Sequence, residues 1–357
     1  MIVEEIKLNN FRNYHQFDVS FVKGINFIYG ANASGKTSLV EGIYYLSLAR
    51  SFRTSRDQDL INNKSEFATI NAKLSVGETK KEIMVYLSHE GKKIAINKKQ
   101  IGKISELSNI VNAIYFIPKD VNLLRDSPKN RRLYLDVSIS KVSKSYLEHV
   151  TNYEKLLRTR NDLLRKEKPN IDLIEVVTSQ MIEISKEIYI YRKEYIEELN
   201  KKANQVFKEI TNSELNIEII YVPFINNKNN YVELAKQEFK NSLELDIKRK
   251  LTNKGVQKED FKILLNKKDV SIYGSQGENR LAVLALKLAP YELIKDYKNK
   301  PIVILDDVLS ELDKDNQKSL LTYLSKLSQV FITSTNKIEI NNANYYFIDD
   351  GNTKKGA

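Results

Sequence analysis

The segment from Gly30 to Thr37 contains the residues best suited to chemistry, because Gly-Ala-Asn-Ala-Ser-Gly-Lys-Thr fits the phosphate-binding pattern GxxxxGK[ST]. Glycines let the backbone N–H groups of such a loop curl around a phosphate, and the N-terminus of the next helix adds positive potential. We expect Lys36 to reach the β- and γ-phosphates of a nucleotide and Thr37 to offer its hydroxyl to Mg²⁺. The nucleotide-binding residues predicted here are Gly30, Ala31, Asn32, Ala33, Ser34, Gly35, Lys36, Thr37 and Ser38.

Two carboxylates, Asp306 and Asp307, follow an apolar run from Ile302 to Leu305 that is typical of a buried parallel strand. Apolar strands that end in Asp are common, so this pattern alone is weak. Beside a phosphate loop, however, one carboxylate can order the shell of a Mg²⁺ ion and its neighbour can orient the attacking water. We therefore predict that Thr37 and Asp306 hold the metal ion. The predicted catalytic residues are Asp306, Asp307 and Lys36.

Most of the chain lies between Lys36 and Asp306. That separation is too large for a compact GTPase. We expect one nucleotide site that is assembled from the two ends of the chain, with a long insertion between them.

A third element is the turn Gly274-Ser275-Gln276-Gly277-Glu278, which precedes a strongly helical run from Arg280 to Ala289. A Ser-x-Gly turn that leads into a helix can present the serine hydroxyl and backbone N–H groups to an anion. An ordinary helix N-cap is the alternative, since serine is a favoured capping residue.

The elements that must position these residues follow from the hydrophobic pattern. Strands are predicted at Ile2–Leu8, Phe17–Phe21 and Gly24–Tyr29, and apolar spacing predicts a helix over Thr37–Ala49. The phosphate loop thus follows a strand and precedes a helix, as its chemistry requires. Further strands are predicted at 83–87, 93–97, 217–222, 301–305, 330–333 and 345–348.

The middle of the chain has a helical pattern that begins after Pro128. Apolar residues at heptad-like steps predict two antiparallel helices over about 144–200, joined by the polar turn around Pro169. Arg160 occupies one position of the first apolar seam. Each arm of about 25 residues would be about 35 to 40 Å long, a short hairpin. An ordinary helical subdomain remains the alternative.

Composition limits the classes of function. The chain has 357 residues, no cysteine, three histidines and a formal net charge of +11. A disulfide scaffold and a metal site built from cysteine or histidine are therefore not expected. The start has no basic leader or apolar signal core, and the longest apolar stretch, Leu281 to Ile294, is interrupted and too short to span a bilayer. We expect a soluble, cytoplasmic protein with no membrane partner.

The basic balance favours a polyanion as partner, although lysine-rich solvated helices are common without any nucleic acid. Arginine is scarcer than lysine here, and its planar fork suits phosphate. An arginine near a phosphate loop can instead contact nucleotide or pair with a core carboxylate. No aromatic-rich platform for single strands is evident, so duplex or junction DNA is the favoured ligand. The DNA-binding candidates are Arg50, Arg53, Arg56, Arg131 and Arg132.

In their order and spacing, the phosphate loop, the Ser275 turn and the carboxylates resemble ABC-type ATPases, and Ser310-Glu311-Leu312-Asp313 resembles their D-loop. Several segments sharpen this to a resemblance to the RecF family of bacterial recombination mediators. They are Leu8–Tyr14, Ser127-Pro128 with Arg131–Asp136, Ser275–Gly277, Leu305–Asp313 and Gln329–Thr333, and together they cover nearly the whole chain.

The resemblance implies an α/β fold: an ABC-type ATPase head, which is a P-loop NTPase, with a β-rich N-terminal part and an inserted helical lobe with a short antiparallel coiled-coil hairpin. Residues 1–125 and 290–357 would form the ATPase lobe. Residues 126–289 would form the helical lobe, which carries the hairpin and the signature turn around Ser275. Ser275, Gln276 and Gly277 would contact nucleotide that a partner subunit holds.

The resemblance also implies ATP-dependent homodimerisation, binding of double-stranded or gapped DNA, and work with RecR and RecO in placing RecA on DNA. Asp307 stands where most ABC enzymes have a catalytic Glu, and we expect slow ATP turnover that serves as a switch. Thr335 falls where other ABC proteins carry a switch histidine. The segment Gly255–Asp260 departs from the family pattern Gly-Pro-His-Arg-Asp-Asp, and the sequence assigns it no role.

Three other functions share some of these features. The nucleotide-binding subunit of an ABC transporter would have a shorter chain, a signature that begins Leu-Ser-Gly-Gly and a smaller insertion. An SMC-like structural tether would have much longer helical arms. A P-loop kinase would lack the signature turn and the D-loop.

Overall fold

The computed structural model describes residues 1–108, 110–296, 300–349 and 352–355, so part of the predicted range 290–357 lies outside the described residues. The strands are β1 (Ile2–Phe11), β2 (Tyr14–Ser20), β3 (Gly24–Tyr29), β4 (Phe67–Val76), β5 (Thr79–Ser88), β6 (Gly91–Ile96), β7 (Lys99–Gln100), β8 (Ala113–Phe116), β9 (Ile217–Val222), β10 (Asp260–Leu265), β11 (Lys268–Asp269), β12 (Ile302–Asp306), β13 (Gln329–Ser334), β14 (Asn344–Asp349) and β15 (Asn352–Lys355). The helices are α1 (Lys36–Leu48), α2 (Ile104–Ser108), α3 (Pro128–Ser140), α4 (Lys144–Leu164), α5 (Ile171–Thr211), α6 (Tyr231–Arg249), α7 (Val270–Tyr273), α8 (Gln276–Leu293) and α9 (Lys314–Leu324).

The described chain divides into two compact units. Unit 1 contains 1–121, 205–214 and 284–357, and unit 2 contains 122–204 and 215–283. The sequence placed 205–214 in the helical lobe, because the chain stays helical through most of this range. In the structure these residues instead have most of their contacts within unit 1.

A mixed sheet in unit 1 brings the ends of the chain together. Its strand order is β15-β14-β3-β13-β12-β8, and β14, β3, β13, β12 and β8 are parallel neighbours. The strand β12 is buried along its whole length, as is β13. Parallel strands need cover on both faces, which explains their near-continuous apolar sequences. Consequently β3, from the start of the chain, is adjacent to β13 and one strand away from β12.

An antiparallel sheet, also in unit 1, has the order β2-β1-β4-β5-β6-β7. Its long strands alternate buried and exposed positions, as in β5, so one face packs on a core and the other faces solvent. The helix α1 contacts strands of both sheets. Nearly all of its residues are buried, and they form one core with the apolar faces of the sheets.

Unit 2 is built from helices and a three-stranded antiparallel sheet with the order β11-β10-β9. The helices α4 and α5 form the predicted hairpin, but α5 has 41 residues and continues to Thr211. The predicted end of the hairpin near residue 200 was therefore too early. The apolar spacing continues through Ala203, Phe207 and Ile210, which are all buried, and Asn212 then takes a left-handed backbone conformation that is typical after a helix end.

No helix in the described part of the chain is long and apolar enough to cross a membrane.

Candidate nucleotide site

The two predicted halves of the nucleotide site meet at one edge of the mixed sheet. The phosphate loop follows β3, Asp306 ends β12, and Thr333 lies near the end of β13 between them. Ligands of open α/β sheets bind at such carboxyl edges. The Thr37 hydroxyl donates to Asp306, with distances of 3.1 Å to Oδ1 and 3.2 Å to Oδ2. The structure thus joins residues from the two ends of the chain in a single site.

Two glycines shape the phosphate loop. Gly35 has a φ of +114°, and a Cβ there would lie 2.6 Å from the Tyr14 hydroxyl oxygen. At Gly30 a Cβ would lie 2.2 Å from the carbonyl oxygen of Ile348. The Tyr14 hydroxyl donates to the Gly35 carbonyl at 3.0 Å. Only residues without side chains fit these close approaches, which the sequence pattern had predicted from the spacing of the glycines.

The phosphate loop contains buried polar groups that could donate hydrogen bonds to an anion. Lys36 is only 8% exposed, and its ammonium group donates to the carbonyls of Gly30 at 2.8 Å and Ala31 at 2.7 Å. Burial lowers the pKa of Lys36, and the charges of Asp307 and Asp306 oppose that shift. The buried Ser34 hydroxyl has no hydrogen-bond partner among the described residues. A buried polar group without a partner is costly, so a ligand that bonds to it would be favoured.

The carboxylate pair has two different environments. Asp306 is buried and accepts a hydrogen bond of 2.6 Å from the Thr333 hydroxyl. Burial raises the pKa of Asp306, and the hydrogen bonds from Thr333 and Thr37 oppose this rise. The neighbouring Asp307 has a φ of +51°, and its Oδ1 is buried without a hydrogen-bond partner in the described chain. Strained backbone with an unpaired buried oxygen is typical of functional positions.

The donor set fits Mg²⁺, which prefers oxygen ligands and is commonly held by one or two carboxylates together with substrate phosphates. Thr37 offers a hydroxyl and Asp306 a carboxylate within one hydrogen-bonded cluster. Among the described residues, no group of three or more Asp, Glu, His or Cys side chains is placed to hold a metal ion. Thr37 and Asp306 suit an ion that also takes phosphate oxygens as ligands.

A cavity of about 700 Å³ opens over these residues. That volume is within the range of small-molecule sites. Sequence reasoning had singled out several lining residues, including Lys36, Thr37 and Asp307. It assigned no site role to a second group that lines the same cavity, of which only Arg12 and Asn13 lie in a segment that it had noted, Leu8–Tyr14. The group is Arg12, Asn13, His15, Asp59, Ile61, Asn62, Asn63 and Lys64. Thr335 lines the cavity too.

Arg12 and Glu41 form a partly buried ion pair beside the phosphate loop. The Arg12 fork donates to the two carboxylate oxygens of Glu41 at 2.9 and 2.7 Å, and the Ser51 hydroxyl also donates to this carboxylate. Glu41 is fully buried on α1. A carboxylate on the apolar helix predicted over 37–49 signals a buried partner, since buried charges are paired. The sequence could not identify Arg12 as that partner.

The three arginines after α1 are exposed. Arg53 lines the cavity, and its Nη1 lies 3.5 Å from Glu41 Oε2. Its position near both the cavity and a core carboxylate matches the alternative that the sequence left open for arginines near the loop. Arg50 and Arg56 remain candidates for DNA contacts.

The structure contradicts Arg131 as a DNA contact. Its side chain is buried, and its Nε and Nη2 donate to the carboxylate of Asp260 at 2.8 Å each. A guanidinium with its fork already filled cannot also bind a phosphate. Arg132 is half-buried and donates to the backbone carbonyl of Glu259 at 2.9 Å. The sequence pattern could not separate these arginines from surface ones, because their partners lie far along the chain.

The turn at Ser275 lies in unit 2 and begins α8. Ser275, Gln276 and Gly277 are exposed, so their polar groups face solvent. The Ser275 N–H donates to the Glu278 carboxylate at 2.8 Å, and the Glu278 N–H donates to the Ser275 hydroxyl at 3.2 Å. This reciprocal arrangement is a capping box, the helix N-cap that the sequence had left as the alternative. Capping does not preclude anion binding, because the exposed N–H groups of the helix start remain near the surface.

Comparisons with known proteins agree on one family. The family described as RecF/RecN/SMC N terminal domain matches residues 2–349. A DNA replication and repair protein RecF from Clostridium botulinum is 37% identical over 337 residues, which span 94% of this chain and 93% of that protein. Its counterpart from Halalkalibacterium halodurans is 37% identical over 369 residues, which span 99% of this chain and 100% of that protein.

Solved structures give the same result. One described as the recombination mediator protein RecF with ATP in the RecFOR pathway has a TM-score of 0.88 at 34% identity, and covers 99% of this chain and 97% of that chain. The Smc head bound to the C-winged helix domain of ScpA has a TM-score of 0.61 at 18% identity, with 99% of this chain and 96% of that chain covered. The second likeness is one of fold. These matches confirm the predicted ATPase-head fold class and the resemblance to the RecF family.

Proposed function

The chain belongs to the RecF family of DNA replication and repair proteins, and from that premise we propose that it is a slow ATPase whose nucleotide cycle controls its grip on DNA. It would act in recombinational repair and replication-fork maintenance in the cytoplasm. The contact between Thr37 and Asp306 carries this proposal, because it joins the phosphate loop to a carboxylate inside a cavity of nucleotide size.

ATP would bind with its phosphates in the loop. Lys36 would exchange the carbonyls of Gly30 and Ala31 for β- and γ-phosphate oxygens, and the unpaired Ser34 hydroxyl would gain a partner. Thr37 and Asp306 are suited to hold Mg²⁺, which when bound neutralises charge on the β- and γ-phosphates. A relative in the RecF family has been solved with ATP, which supports this nucleotide for the present chain.

Asp307 would orient the attacking water. Its free buried oxygen next to Asp306 supports this role, because a water can donate to an oxygen that no protein group occupies. Aspartate is one methylene shorter than glutamate and would hold the water less closely, which favours slow turnover. Slow hydrolysis of this kind suits a switch that limits how long the ATP-bound state lasts, rather than a motor that does mechanical work. Turnover of hundreds of ATP per second by the purified protein without DNA would contradict this part of the proposal.

A second copy would complete each site. The exposed signature turn, residues Ser275–Gly277, would contact the γ-phosphate held by the partner, so that two heads close only while ATP is present. DNA would then be clamped by basic residues of the paired heads, with Arg50 and Arg56 as contacts and double-stranded or gapped DNA as ligand. RecR, with RecO, would be the protein partner in placing RecA on the DNA.

The alternatives have less support. The nucleotide-binding subunit of a transporter would not need the hairpin of α4 and α5. An SMC-like tether needs arms of hundreds of residues, whereas α4 has 21 residues and α5 has 41.

Sedimentation velocity tests the proposal directly. The wild type should be monomeric without nucleotide and dimeric with ATP and Mg²⁺, and gapped DNA should sediment with the dimer. Lys36→Ala on its own should stay monomeric with ATP, Mg²⁺ and DNA, because it lacks the ammonium group that would bind the phosphates. Lys80→Ala, at a side chain that is 83% exposed, is the matched control and should behave as wild type. A wild type that stays monomeric with ATP would refute the dimer mechanism.

A further inference from the structure

The segment Gly255–Asp260, which the sequence left without a role, contains an acceptor for a buried arginine. Asp260 Oδ1 accepts from Arg131 Nε at 2.8 Å, and Asp260 Oδ2 accepts from Arg131 Nη2 at 2.8 Å. This fork-to-fork geometry fixes both the direction and the distance of the guanidinium. Arg131 is 9% exposed, so solvent screens the pair little.

The remaining nitrogen of Arg131, Nη1, donates hydrogen bonds to backbone carbonyls that precede it in the chain. Its Nη1 donates to the carbonyls of Leu123 at 3.2 Å, Leu124 at 2.9 Å and Asp126 at 2.7 Å. Leu123 and Leu124 end a short 3-10 helix, where carbonyls lack partners within the helix. The three carbonyls flank Arg125 on both sides. The Asp260–Arg131 pair thereby fixes the backbone from which the Arg125 side chain projects.

Arg125 in turn contacts the start of the signature turn. Its Nη2 donates to the carbonyl of Gly274 at 3.1 Å, and Gly274 is the residue before Ser275. Gly274 has little freedom of its own, since its N–H donates to the Val270 carbonyl at 3.0 Å and a Cβ would lie 2.6 Å from that carbonyl oxygen. Gly274 is thus held at its N–H by Val270 and at its carbonyl by Arg125. All of these residues belong to unit 2.

We propose that Arg125 is a positioning residue for the signature turn, and that Asp260 and Arg131 hold Arg125 in place. The chain of contacts orients Ser275 and the following N–H groups towards nucleotide that a second copy binds. The inference rests on the proposed composite site. It goes beyond the residues already proposed for that site, because Arg125 would act on the partner's nucleotide through Gly274 and have no part in binding ATP in its own phosphate loop.

The first test separates binding from closure. In Arg125→Ala, affinity for a fluorescent ATP analogue should stay within about two-fold of wild type, because the phosphate loop is unchanged. The ATP-dependent dimer should weaken by about ten-fold, the effect of losing one charge-assisted hydrogen bond. Arg125→Lys should recover part of this loss, since an ammonium group can still donate to the Gly274 carbonyl. Arg165→Ala, which removes an exposed arginine of the hairpin, is the matched control.

The second test shows whose nucleotide Arg125 serves. Arg125→Ala has an intact phosphate loop, and Lys36→Ala has an intact signature turn. A mixed dimer of the two therefore contains one complete composite site, so ATPase activity should reappear on mixing although each variant alone is impaired. If Arg125 served the nucleotide of its own chain, no site in the mixed dimer would be complete and mixing would restore nothing.

A second mixture of variants distinguishes the positioning role of Arg125 from the existence of the composite site. Ser275→Arg blocks the signature turn directly, so mixing it with Lys36→Ala should restore activity whenever the composite site exists. Restoration in this mixture but not with Arg125→Ala would overturn the positioning role alone. Failure of both mixtures, with a monomeric wild type, would refute the composite site itself. Loss of DNA affinity with normal dimerisation in Arg125→Ala would show that Arg125 is a DNA contact instead.

The Asp260→Asn variant tests the first link in the chain. It should weaken the dimer as Arg125→Ala does, and the double variant should be no worse than either single variant, because both changes act through the same carbonyl of Gly274. Circular dichroism and thermal unfolding check that Asp260→Asn is folded. If it is not, the exposed Arg125 carries the test. Additive losses in a folded double variant would contradict the chain of contacts.

Discussion

Asp307 combines a charge, a strained backbone and an unpaired oxygen in one residue. Its left-handed φ of +51° costs free energy in any residue with a side chain, and Asp and Asn tolerate it better than most. The conformation of Asp307 therefore lowers stability locally, but it leaves a carboxylate oxygen unpaired that could orient the attacking water. Its backbone N–H donates to the Thr333 hydroxyl at 3.0 Å, and the same hydroxyl donates to Asp306. The two adjacent carboxylates are thereby fixed relative to each other.

Asp307→Asn is expected to separate ATP binding from hydrolysis. Asparagine keeps the shape and tolerates the left-handed backbone, but it cannot accept a proton from water. Hydrolysis should fall by about 10²- to 10⁴-fold, the usual contribution of a general base, while nucleotide affinity changes little. Phosphate release and sedimentation measure the two properties, and the ATP-bound dimer should accumulate. Asp315→Asn, on the exposed first turn of α9, controls for loss of charge. Unchanged hydrolysis in Asp307→Asn would exclude the assigned role.

Glu41→Gln is expected to destabilise unit 1. The carboxylate is fully buried and accepts both arms of the Arg12 fork, so its neutralisation leaves the guanidinium poorly compensated. Arg12 is 18% exposed, and water therefore recovers part of the loss; we expect about 2 kcal/mol of lost unfolding free energy. Urea denaturation measures this, with Glu78→Gln at an exposed turn as control. Equal stability of both variants would show that the pair is energetically neutral.

For single residues, the sequence predicts the position of a side chain where its neighbours in the sequence set the local geometry. Lys36 and Thr37 could be placed at the end of the loop, because the loop and the helix after it are contiguous in sequence. Arg12 could not, because its role depends on a long-range contact with Glu41. Arg131 was assigned wrongly for the same reason, since a surface arginine and a buried one have identical local patterns until the partner is known.

Helix α4 carries an arginine where its apolar seam requires a hydrophobic residue. Arg160 is 1% exposed and donates to Asp246 of α6 at 2.8 Å, to Thr178 of α5 at 2.8 Å and to Thr252 at 2.8 Å. Its guanidinium also lies 5.2 Å from the ring centre of Phe239. The seam of the hairpin is thus completed by a third helix, which a heptad pattern in two helices could not reveal.

Arg160→Leu is expected to destabilise unit 2 by about 3 to 5 kcal/mol, because it leaves the fully buried Asp246 without its ion-pair partner. Arg160→Leu with Asp246→Leu should recover much of this loss, since two apolar side chains replace both charges. Chemical denaturation of the two single variants and the double variant measures the coupling. Strictly additive losses would contradict an energetic link between the two residues.

Helix α8 contains a buried ion pair in its second half. Lys287 Nζ lies 2.6 Å from Asp120 Oδ2 and 4.1 Å from the ring centre of Tyr115. Burial lowers the pKa of Lys287 below the ordinary value of 10.5, and Asp120 opposes this shift. Below the lowered pKa, the ammonium is charged in both native and unfolded states, and its burial costs native stability in full. This pair therefore makes the stability of unit 1 depend on pH.

The difference in unfolding free energy between wild type and Lys287→Met is expected to rise with pH in the alkaline range up to 10.5. Between the lowered pKa and 10.5, the unfolded state binds more protons than the native state, so higher pH favours the native wild type. Urea denaturation at several alkaline pH values measures this difference. The exposed lysine change Lys318→Met controls for loss of a charge. A difference that falls as pH rises would show that Asp120 outweighs the cost of burial.

The bounds of strands and helices were predicted best where a single hydrophobic periodicity dominates the sequence. The strands β3 and β9 have the predicted bounds, because short apolar runs between turns have few alternatives. The end of α5 was missed, since a helix can continue for as long as its apolar spacing does and no proline or glycine stops it.

For the molecule as a whole, the order of strands explains how a split sequence forms one site. The strands β3 and β12 come from opposite ends of the chain, yet only β13 separates them in the sheet. Parallel neighbours place their carboxyl ends at the same edge, so the loop after β3 and the carboxylate after β12 must converge. The motifs predicted this convergence from their chemistry. The antiparallel sheet beside it could be predicted only as strands, because alternation gives no pairing order.

The net charge of +11 also belongs to the whole molecule, and it does not say which cations meet DNA. Arg50 and Arg56 are exposed, whereas the guanidinium of Arg131 is buried and paired with Asp260. The affinity for duplex DNA in the presence of ATP should fall as salt rises, in proportion to the number of phosphate contacts. Arg50→Ala and Arg56→Ala should each lower the slope of log affinity against log salt by about one.

Arg131→Ala is the internal comparison for this salt titration. It should leave the slope unchanged and lower the unfolding free energy instead, because it removes the partner of Asp260 and of three backbone carbonyls. Fluorescence anisotropy at several salt concentrations gives the slopes, and denaturation gives the stability. An affinity that does not change with salt would exclude phosphate contacts altogether. A smaller slope in an Arg131→Ala variant that is fully stable and still dimerises with ATP would mean that DNA binding exposes this arginine, in conflict with its buried fork.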